Sequence, residues 1–322
     1  MGENSGGRRA LITGVTGQDG SYLAELLLAE GWRVTGMVRR LSLGNHARIQ
    51  HLNALTLVEG DLLDMGSLIR VLRESHPDHI YHLAGQSFVP TSFTQPVLTG
   101  EVTGLGTMRM LEAMRFACPD ARFYQASSSE MFGIAAETPQ RESTPFHPQS
   151  PYAIAKVYAH HLAVHHREAY GLFVACGILF NHESPRRSPE FVTRKIAQGV
   201  AAIKRGRSRS LVLGNADARR DWGWAPDYVR AMYAMLSRDT PADWVVATGH
   251  DHSVREFAER AFAVVDLRAE EWLASDPALL RPTDIPVLTG DATRARTVLG
   301  WAPSIDFDGL VERMVRAEMD AE

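Results

Sequence analysis

The chain has 322 residues, of which 45% are hydrophobic and 22% charged, enough for one large domain or two moderate ones. A formal net charge of -4 argues against nucleic acid and anionic membranes as partners. Cys118 and Cys176 lie far apart in apolar segments, which suits reduced core positions rather than disulfides or a metal site. Without a signal core or an apolar run of roughly 20 residues, a soluble cytoplasmic protein is expected.

Short apolar runs alternate with helical patterns over the first 181 residues. The pattern predicts strands at 9–13, 34–38, 55–58, 79–83, 123–126 and 173–179. Helices are predicted between them, at 21–30, 66–75, 104–117 and 152–170. Repeated strand–helix units favour an α/β fold, a Rossmann-like doubly wound parallel sheet with helices on both faces.

The pattern changes after residue 181. The polar, basic stretch 181–189 is typical of a loop, and a helix is predicted at 191–204. Strands at 210–213 and 244–247 and a helix at 226–237 fit either half, and the tail from 255 is mostly helical with a proline-rich break at 282–286. We predict a first domain over 1–181 with returning segments near 214–250, and a smaller, mostly helical domain over 182–322.

Three glycines, Gly14, Gly17 and Gly20, lie between the first strand and the first helix. Glycine permits a tight turn there and lets backbone N–H groups approach a pyrophosphate at the positive end of a helix. This placement favours dinucleotide binding over a purely structural turn. We predict cofactor contacts from Gly14, Thr16, Gly17, Gln18 and Asp19.

The end of the second strand indicates which nicotinamide cofactor binds. An NAD enzyme usually carries an acid about 20 residues after the glycines, but here Arg39, Arg40 and Ser42 occupy that place. Two guanidinium groups suit a 2′-phosphate, so NADP is favoured over NAD as the cofactor. The competing interpretation of these arginines is a basic loop that contacts only solvent. Further cofactor contacts are predicted at the ends of the next two strands, from Asp61, Leu62, Leu83, Ala84, Gln86 and Ser87.

Tyr152 and Lys156 stand one helical turn apart at the start of a predicted helix, so their side chains share a face. A nearby ammonium favours a phenolate, which makes the pair a candidate base for a sugar hydroxyl. Ser128 and Glu130 follow the fifth strand, at the sheet edge where ligands bind. The competing interpretations are an ordinary amphipathic helix and a serine-rich strand end.

These motifs, in this order, resemble the extended short-chain dehydrogenase/reductase family that modifies nucleotide sugars, and within it the GDP-mannose 4,6-dehydratases. The resemblance extends over segments 11–25, 123–126, 177–187, 191–196, 220–223, 253–257 and 281–284. It departs from the family pattern at Ser128, where threonine is usual, and at Leu98, where tyrosine is usual. The C-terminal half is also shorter than in many relatives.

The resemblance implies that Tyr152 removes the proton of the sugar 4-hydroxyl while C4 gives a hydride to NADP, and that Lys156 holds the cofactor ribose. Glu130 then takes the C5 proton, water leaves C6 and the hydride returns there. Three further cofactor contacts are implied, from His182, Arg187 and Leu98. GDP-mannose contacts are implied from Ser87, Ser128, Glu130, Asn181, Val192, Lys195, Arg220 and Arg281.

Three alternatives stay open. A GDP-heptose 4,6-dehydratase would share this chemistry, whereas a GDP-4-keto-6-deoxymannose reductase or epimerase typically lacks Glu130. A non-catalytic NADP-sensing regulator would be expected to have lost Tyr152, Lys156 or Glu130.

Four histidines between 160 and 166 are interpreted as a helix surface or subunit contact rather than a metal site, and no metal is expected. The apolar-faced helices 104–117 and 152–170 predict a homodimer or homotetramer.

Overall fold

The computed structural model describes residues 7–40, 46–280 and 282–321. The chain falls into two compact units. The first unit comprises Met1–Ser128, Pro151–Ile178 and Val229–Trp244, and the second comprises Ser129–Ser150, Leu179–Tyr228 and Val245–Glu322. The stretch 129–150 therefore groups with the second unit, and the segment that returns to the first is shorter than the predicted 214–250.

The strands, in chain order, are β1 Arg9–Thr13, β2 Arg33–Val38, β3 Thr56–Glu59, β4 His79–His82, β5 Arg122–Ser128, β6 Val174–Leu179, β7 Asn181–Glu183, β8 Leu211–Leu213, β9 Arg219–Trp224, β10 Asp243–Val246, β11 Asp251–Ser253, β12 Leu273–Ser275 and β13 Val287–Leu288.

The helices, in chain order, are α1 Gln18–Ala29, α2 Met65–Ser75, α3 Val89–Thr94, α4 Pro96–Thr99, α5 Gly106–Ala117, α6 Pro151–Tyr170, α7 Val192–Lys204, α8 Ala225–Leu236, α9 Val254–Ala263, α10 Thr293–Leu299 and α11 Phe307–Asp320. A π-helical segment, Gly100–Leu105, joins α4 to α5. Within the described ranges, no helix combines the length and apolar character needed to cross a bilayer.

The sheet of the first unit has the strand order β10-β6-β5-β4-β1-β2-β3. The pairings from β3 through β2, β1 and β4 to β5 are all parallel. The chain runs outward from β1 to β3 and then returns to β4 on the other side of β1. The topological switch point, where ligands bind in doubly wound sheets, therefore lies between β1 and β4. The predicted fold class is confirmed.

Helices α2 and α5 cover one face of this sheet. Their buried residues Leu68, Val71 and Met110 pack against Leu11 and Phe123 of the strands in one apolar cluster. Full burial of a large apolar side chain contributes about 1.5–3 kcal/mol. Because strands of this kind are buried on both faces, their sequences are continuous apolar runs, which is why they were predictable.

In the second unit, β9 pairs with β11, β13 and β7, and the helices α7, α9 and α11 share an apolar core that includes Trp222, Phe257 and Met314. The prediction that 181–189 is a loop is wrong at its start, because β7 pairs in parallel with β9 there. The strands β9 and β11 were not predicted, and two further strands, β12 and β13, interrupt the tail. The strands β11, β12 and β13 have only two or three residues, and β9 buries the charged side chains of Arg220 and Asp221, which hides it from a hydropathy pattern.

Candidate active site

The glycine loop joins β1 to α1 beside the switch point. Gly14 has a φ of +74°, and a Cβ added to it would lie 2.9 Å from the backbone nitrogen of Ala84. A Cβ added to Gly20 would lie 2.4 Å from the carbonyl oxygen of Gly14. Gly17, in extended conformation, precedes α1 and donates its N–H to the Gly14 carbonyl at 3.0 Å. A side-chain-free turn at the start of a helix fits a dinucleotide pyrophosphate.

Gln18 and Asp19 are also predicted to contact the cofactor, and their side chains form a hydrogen bond with each other. The Gln18 amide donates to the Asp19 carboxylate at 2.9 Å, in the first turn of α1. The carbonyl of Thr16 accepts from Arg48 at 3.3 Å. Sequence reasoning missed Arg48, because no strand or motif marks its position. It adds a guanidinium beside the glycine loop.

The loop after β4 is held to the glycine loop through one buried hydroxyl. Thr13 Oγ1 accepts from the N–H groups of Leu83 and Ala84, at 3.2 and 3.1 Å. The same oxygen lies 2.9 Å from His82 Nδ1. Thr13 and His82 are both buried, so neither contact is weakened by bulk water. This role of His82 has no local signal in the sequence, because its partner Thr13 lies 69 residues earlier.

The hydrogen bond at Nε2 of His82 determines the tautomer of its imidazole. His82 Nε2 lies 3.2 Å from the hydroxyl of Thr107, whose proton is donated to the Thr103 carbonyl at 2.9 Å. The Thr107 oxygen therefore accepts from Nε2–H, and Nδ1 accepts from Thr13. Burial, with a smaller contribution from the charge of Lys156, lowers the pKa of His82 to about 3. The ring is neutral at pH 7.

The remaining residues predicted to contact the cofactor are spread along the same edge. Gln86 donates its N–H to Thr103 Oγ1 at 3.1 Å, while Ser87 is exposed. Asp61 accepts from the N–H of Leu63 at 2.9 Å, which shapes the turn that buries Leu62. Three others are exposed, namely Arg39 and Arg40 directly after β2 and Leu98 in α4. Ser42 lies outside the described residues.

Tyr152 and Lys156 lie in the first two turns of α6 and are both buried. The ammonium of Lys156 lies 5.9 Å from the centre of the Tyr152 ring and donates to the Ala126 carbonyl at 2.7 Å. Burial lowers the pKa of Lys156 to about 8, and the carboxylate of Asp19 partly opposes this. The side chain is therefore mostly protonated at pH 7, as a group that stabilises a phenolate must be.

Ser128 is the last residue of β5, two residues beyond the carbonyl that Lys156 holds. Glu130 follows in a single 3₁₀ turn, Ser129–Met131, which groups with the second unit. The chain connection alone places a hydroxyl and a carboxyl at the end of the strand to which the Tyr–Lys helix is attached.

In the second unit, Asn181 and His182 open β7. The His182 ring stacks on Tyr228, with centroids 4.5 Å apart and planes 16° apart. Its Nδ1–H donates to the Phe180 carbonyl at 2.7 Å, so the ring is fixed in plane and in tautomer. A Cβ on Gly223 would lie 2.4 Å from the Tyr228 ring, which explains why glycine precedes α8 at this point.

Arg187 is paired within its own loop. Its Nε lies 3.1 Å from the carboxylate of buried Glu183, and its guanidinium lies 3.6 Å from the centre of the Phe191 ring. Glu183 also accepts from the hydroxyl of Thr193 at 2.5 Å. Sequence reasoning predicted Arg187 and missed the carboxylate that holds it.

The residues predicted to bind substrate lie on two elements of the second unit. Val192 and Lys195 occupy the first turn of α7. Arg220, buried in β9, donates to the Ile285 carbonyl at 2.7 Å and lies 3.3 Å from the Asp284 carboxylate. Arg281 lies outside the described residues.

Asp221, the neighbour of Arg220, was not predicted. It is completely buried, and its carboxylate accepts from the N–H groups of Thr248, Gly249 and Gly290 and from the Thr248 hydroxyl. Burial raises its pKa, although these hydrogen bonds oppose the effect. Asp221 therefore ties together three segments of the second unit behind Arg220.

The histidines of α6 differ from one another. His161 and His165 are exposed, as interpreted from the sequence, but His160 and His166 are buried within the first unit, which corrects that interpretation for these two. Helical geometry places them on the face that packs inward. Within the described ranges, no group of three or more His, Cys, Asp or Glu side chains is arranged to hold a metal ion.

The sequence matches one family profile over residues 11–314, that of GDP-mannose 4,6 dehydratase. The chain belongs to this family. It is 46% identical to the human GDP-mannose 4,6 dehydratase, covering 97% of this chain and 91% of that protein. It is 47% identical to the GDP-mannose 4,6-dehydratase of Sinorhizobium fredii, covering 96% of each.

Solved structures agree with the fold. The UDP-glucose 4-epimerase of Thermus thermophilus, in complex with NAD, superposes with a TM-score of 0.86 at 27% identity, over 98% of this chain and 100% of that chain. RMD of Pseudomonas aeruginosa, in complex with NADPH, superposes with a TM-score of 0.82 at 26% identity, over 98% of this chain and 100% of that chain. These relatives share the doubly wound sheet seen here.

Proposed function

We propose that the protein converts GDP-α-D-mannose to GDP-4-dehydro-6-deoxy-α-D-mannose and water, with NADP as resident cofactor. The observation that carries the proposal is a buried Lys156 beside Tyr152, attached to the strand that leads to Glu130. A chain of this family that keeps all three residues has the acid–base groups that a dehydration requires. A reductase or epimerase would not need the strand-end carboxylate.

Tyr152 accepts the proton of the sugar 4-hydroxyl, and the Lys156 ammonium favours the phenolate that does so. Ser128 offers a hydroxyl to the same oxygen. A nicotinamide held by the glycine loop and Lys156 would supply the hydride acceptor for C4 and the hydride donor for C6. Glu130 removes the C5 proton, which the neighbouring ketone has made acidic, and gives a proton to the departing 6-hydroxyl.

The first unit is the proposed dinucleotide domain, with the glycine loop at the pyrophosphate. NADP is proposed over NAD because Arg39 and Arg40 follow β2 without an acid, and Arg48 reaches the Thr16 carbonyl. Arginine is well suited to the 2′-phosphate. The other proposed contacts are Gly14, Gly17, Gln18, Asp19, Ser42, Asp61, Leu62, Leu83, Ala84, Gln86, Ser87, Leu98, His182 and Arg187.

The second unit is the proposed GDP-sugar domain. Lys195 and Arg220 supply positive charge for the diphosphate, as does Arg281 by family resemblance. Asn181 and Val192 are proposed to contact the nucleotide sugar, with Ser87, Ser128 and Glu130 near the sugar. The cytoplasm is the proposed location, since both cysteines are free.

The decisive experiment uses Glu130→Gln with GDP-mannose in deuterated solvent. The amide keeps the size of the side chain but cannot accept the C5 proton, so we expect turnover to fall about a hundred- to ten-thousandfold. Deuterium incorporation at C5 should fall with it, while C4 oxidation remains possible. The matched control is Glu59→Gln, an exposed carboxyl at the end of β3. Normal turnover with normal C5 labelling in Glu130→Gln would refute the dehydratase mechanism.

A homodimer or homotetramer is also proposed. Val97, Leu98, Ile154 and Tyr158 are large, exposed apolar side chains on α4 and α6, and Tyr158 bonds to Met108 of α5. Exposed apolar patches of this kind mark protein interfaces. Light scattering at micromolar concentration should give at least twice the chain mass of 35.6 kDa, and Ile154→Glu should reduce it. A monomer mass for the unaltered protein would contradict the proposal.

A further inference from the structure

Three residues of α6, Tyr152, Lys156 and His160, follow one another at intervals of four and share one face of the helix. Lys156 donates to the Ala126 carbonyl at 2.7 Å. One turn later, His160 Nδ1 lies 2.9 Å from the hydroxyl of Ser127. Two consecutive residues of β5 are thus attached to two consecutive turns of the helix that carries the proposed base.

In the hydrogen bond between Ser127 and His160, Ser127 is the donor and His160 the acceptor. His160 Nε2 lies 4.0 Å from the Asp243 carboxylate. Arg167 donates two hydrogen bonds to this carboxylate, at 2.8 and 3.2 Å. Burial opposes ionisation of Asp243, but Arg167 holds its pKa below the usual value. Burial lowers the pKa of His160 to about 4, so the ring is neutral. The anion favours the tautomer with the proton on Nε2, and Nδ1 then accepts from Ser127.

Ser127 and His160 are both buried, with 4% and 5% of their surfaces exposed. Water therefore cannot easily replace either partner, and removing one of them loses a buried hydrogen bond. Buried residues of α6, among them Ala153, Ala159 and Ala163, pack the helix into the first unit. The contact at His160 adds a second directional hydrogen bond to β5, one turn away from that of Lys156.

We propose that His160 is a positioning residue, which acts through Ser127 to fix the helix bearing Tyr152 and Lys156 against the strand that leads to Ser128 and Glu130. The expected effect on turnover rests on the proposed function. The expected effect on the position of the helix does not. His160 would touch neither substrate nor cofactor. Its effect would reach the reaction only through the placement of Lys156 and Tyr152.

Two amide substitutions separate the two sides of the imidazole. In His160→Asn the side-chain oxygen takes the place of Nδ1 and can still accept from Ser127. In His160→Gln the amide reaches toward Asp243 and leaves Ser127 without an acceptor. We expect kcat to fall about ten- to hundredfold in His160→Gln, the size of effect that slight misplacement of catalytic groups produces. In His160→Asn it should stay within about threefold.

The affinities for NADP and GDP should change little in either variant, since the proposed contacts lie elsewhere. Ser127→Ala should resemble His160→Gln, and the double variant should be no worse than either single one, because both remove the same contact. Equal losses in the Asn and Gln variants, or additive losses in the double variant, would overturn the proposal.

A readout independent of turnover comes from Lys156 itself. The chain contains only three lysines, Lys156, Lys195 and Lys204, so lysine labelled with ¹³C at the ε-carbon gives signals that can be assigned by substitution. The titratable groups around Lys156 are Tyr152 on its own helix, Asp19 on α1 and His82 on β4. Loosening the helix in His160→Gln should admit water and raise the pKa of Lys156 from about 8 toward the usual value.

In His160→Asn the Lys156 titration should match that of the unaltered protein. An unchanged titration in His160→Gln would refute the positioning role even if kcat fell. If the unaltered protein did not act on GDP-mannose, the proposed function would fail, but a shifted Lys156 titration in His160→Gln would still support the positioning role. The two failures are therefore distinguishable.

Discussion

The two units hold their candidate site residues by different physical means. In the first unit, one half-buried ion pair, Arg167–Asp243, lies beside His160. The groups nearest the candidate site residues are nevertheless neutral hydrogen-bonding side chains around one buried ammonium, that of Lys156. They are Thr13, His82, Thr107, Ser127 and His160. In the second unit, buried or half-buried charged side chains hold the candidate site residues in place. They are Glu183 with Arg187, Arg220 with Asp284, and Asp221 with its four donors.

This difference follows from what each unit is proposed to bind. A proton and hydride transfer site of the proposed kind depends on one well-placed ammonium, that of Lys156. A diphosphate site needs cations, and buried cations need anions to hold them. The first unit should therefore respond to pH through neutral histidines. The second should respond to the removal of single members of ion pairs.

The largest expected effect is acid destabilisation of the first unit. Burial is the main cause that lowers the pKa of His79 and His160 to about 4 and that of His82 to about 3. Unfolded histidines bind protons below about pH 6.5, whereas these three stay neutral when folded. Stability should therefore fall as the pH drops from 6.5 to 4, by on the order of 3 kcal/mol for each ring.

Urea unfolding at pH 7, 5.5 and 4.5 measures this slope. His82→Asn should flatten it by removing one titrating ring, whereas replacing the exposed His161 with Asn should leave it unchanged. The same slope in both variants would show that the buried rings do not control acid stability.

The second largest effect is expected for Asp221. Asp221→Leu leaves three buried or half-buried backbone N–H groups without their acceptor, at a cost of about 1–3 kcal/mol for each unsatisfied group. We expect the free energy of unfolding to fall by about 4 kcal/mol or more. Asp221→Asn keeps one oxygen, facing Thr248, and should lose about half as much. Equal losses in both variants, measured by urea unfolding, would contradict the hydrogen-bond account.

A smaller effect is expected for the buried ion pair of the second unit. Glu183→Gln removes the counter-charge of Arg187, and breaking one side of such a pair typically costs about 3–5 kcal/mol when both groups are buried. Arg187 is 17% exposed, so about 3 kcal/mol is the expected loss in thermal or urea unfolding. Adding Arg187→Met should recover most of it. No recovery in the double variant would show that Glu183 acts through Thr193 instead.

The same contrast explains what the sequence could predict. The strands of the first sheet are apolar runs buried on both faces, and the glycine loop and the Tyr152–Lys156 spacing are local patterns. By contrast, β9 buries the charged side chains of Arg220 and Asp221, so hydropathy does not distinguish it from a loop. His82 depends on Thr13, 69 residues earlier. A role defined by a partner that far along the chain has no local signal.

The smallest effect is expected for Lys156, and it has the same sign as that of the histidines but lies at higher pH. Burial lowers the pKa of Lys156 from 10.5 to about 8, so the folded protein holds this proton less tightly than the unfolded chain. The destabilisation is fully present below pH 8 and is relieved as the pH rises from 8 to 10.5. It amounts to roughly 3 kcal/mol, less the hydrogen bond to the Ala126 carbonyl, which stabilises the fold by about 1 kcal/mol.

Lys156→Met should therefore stabilise the protein by about 2 kcal/mol at pH 7 while removing its activity. Urea unfolding of both proteins at pH 7 and pH 10 tests this, and the advantage of the variant should shrink at the higher pH. Lys204→Met is the matched control, because Lys204 ends the second-unit helix α7 and no such buried charge is relieved there. If Lys156→Met were less stable than the unaltered protein at both pH values, the hydrogen bond to β5 would outweigh the burial of charge. The first unit would then rely on its ammonium for stability, much as the second relies on its ion pairs.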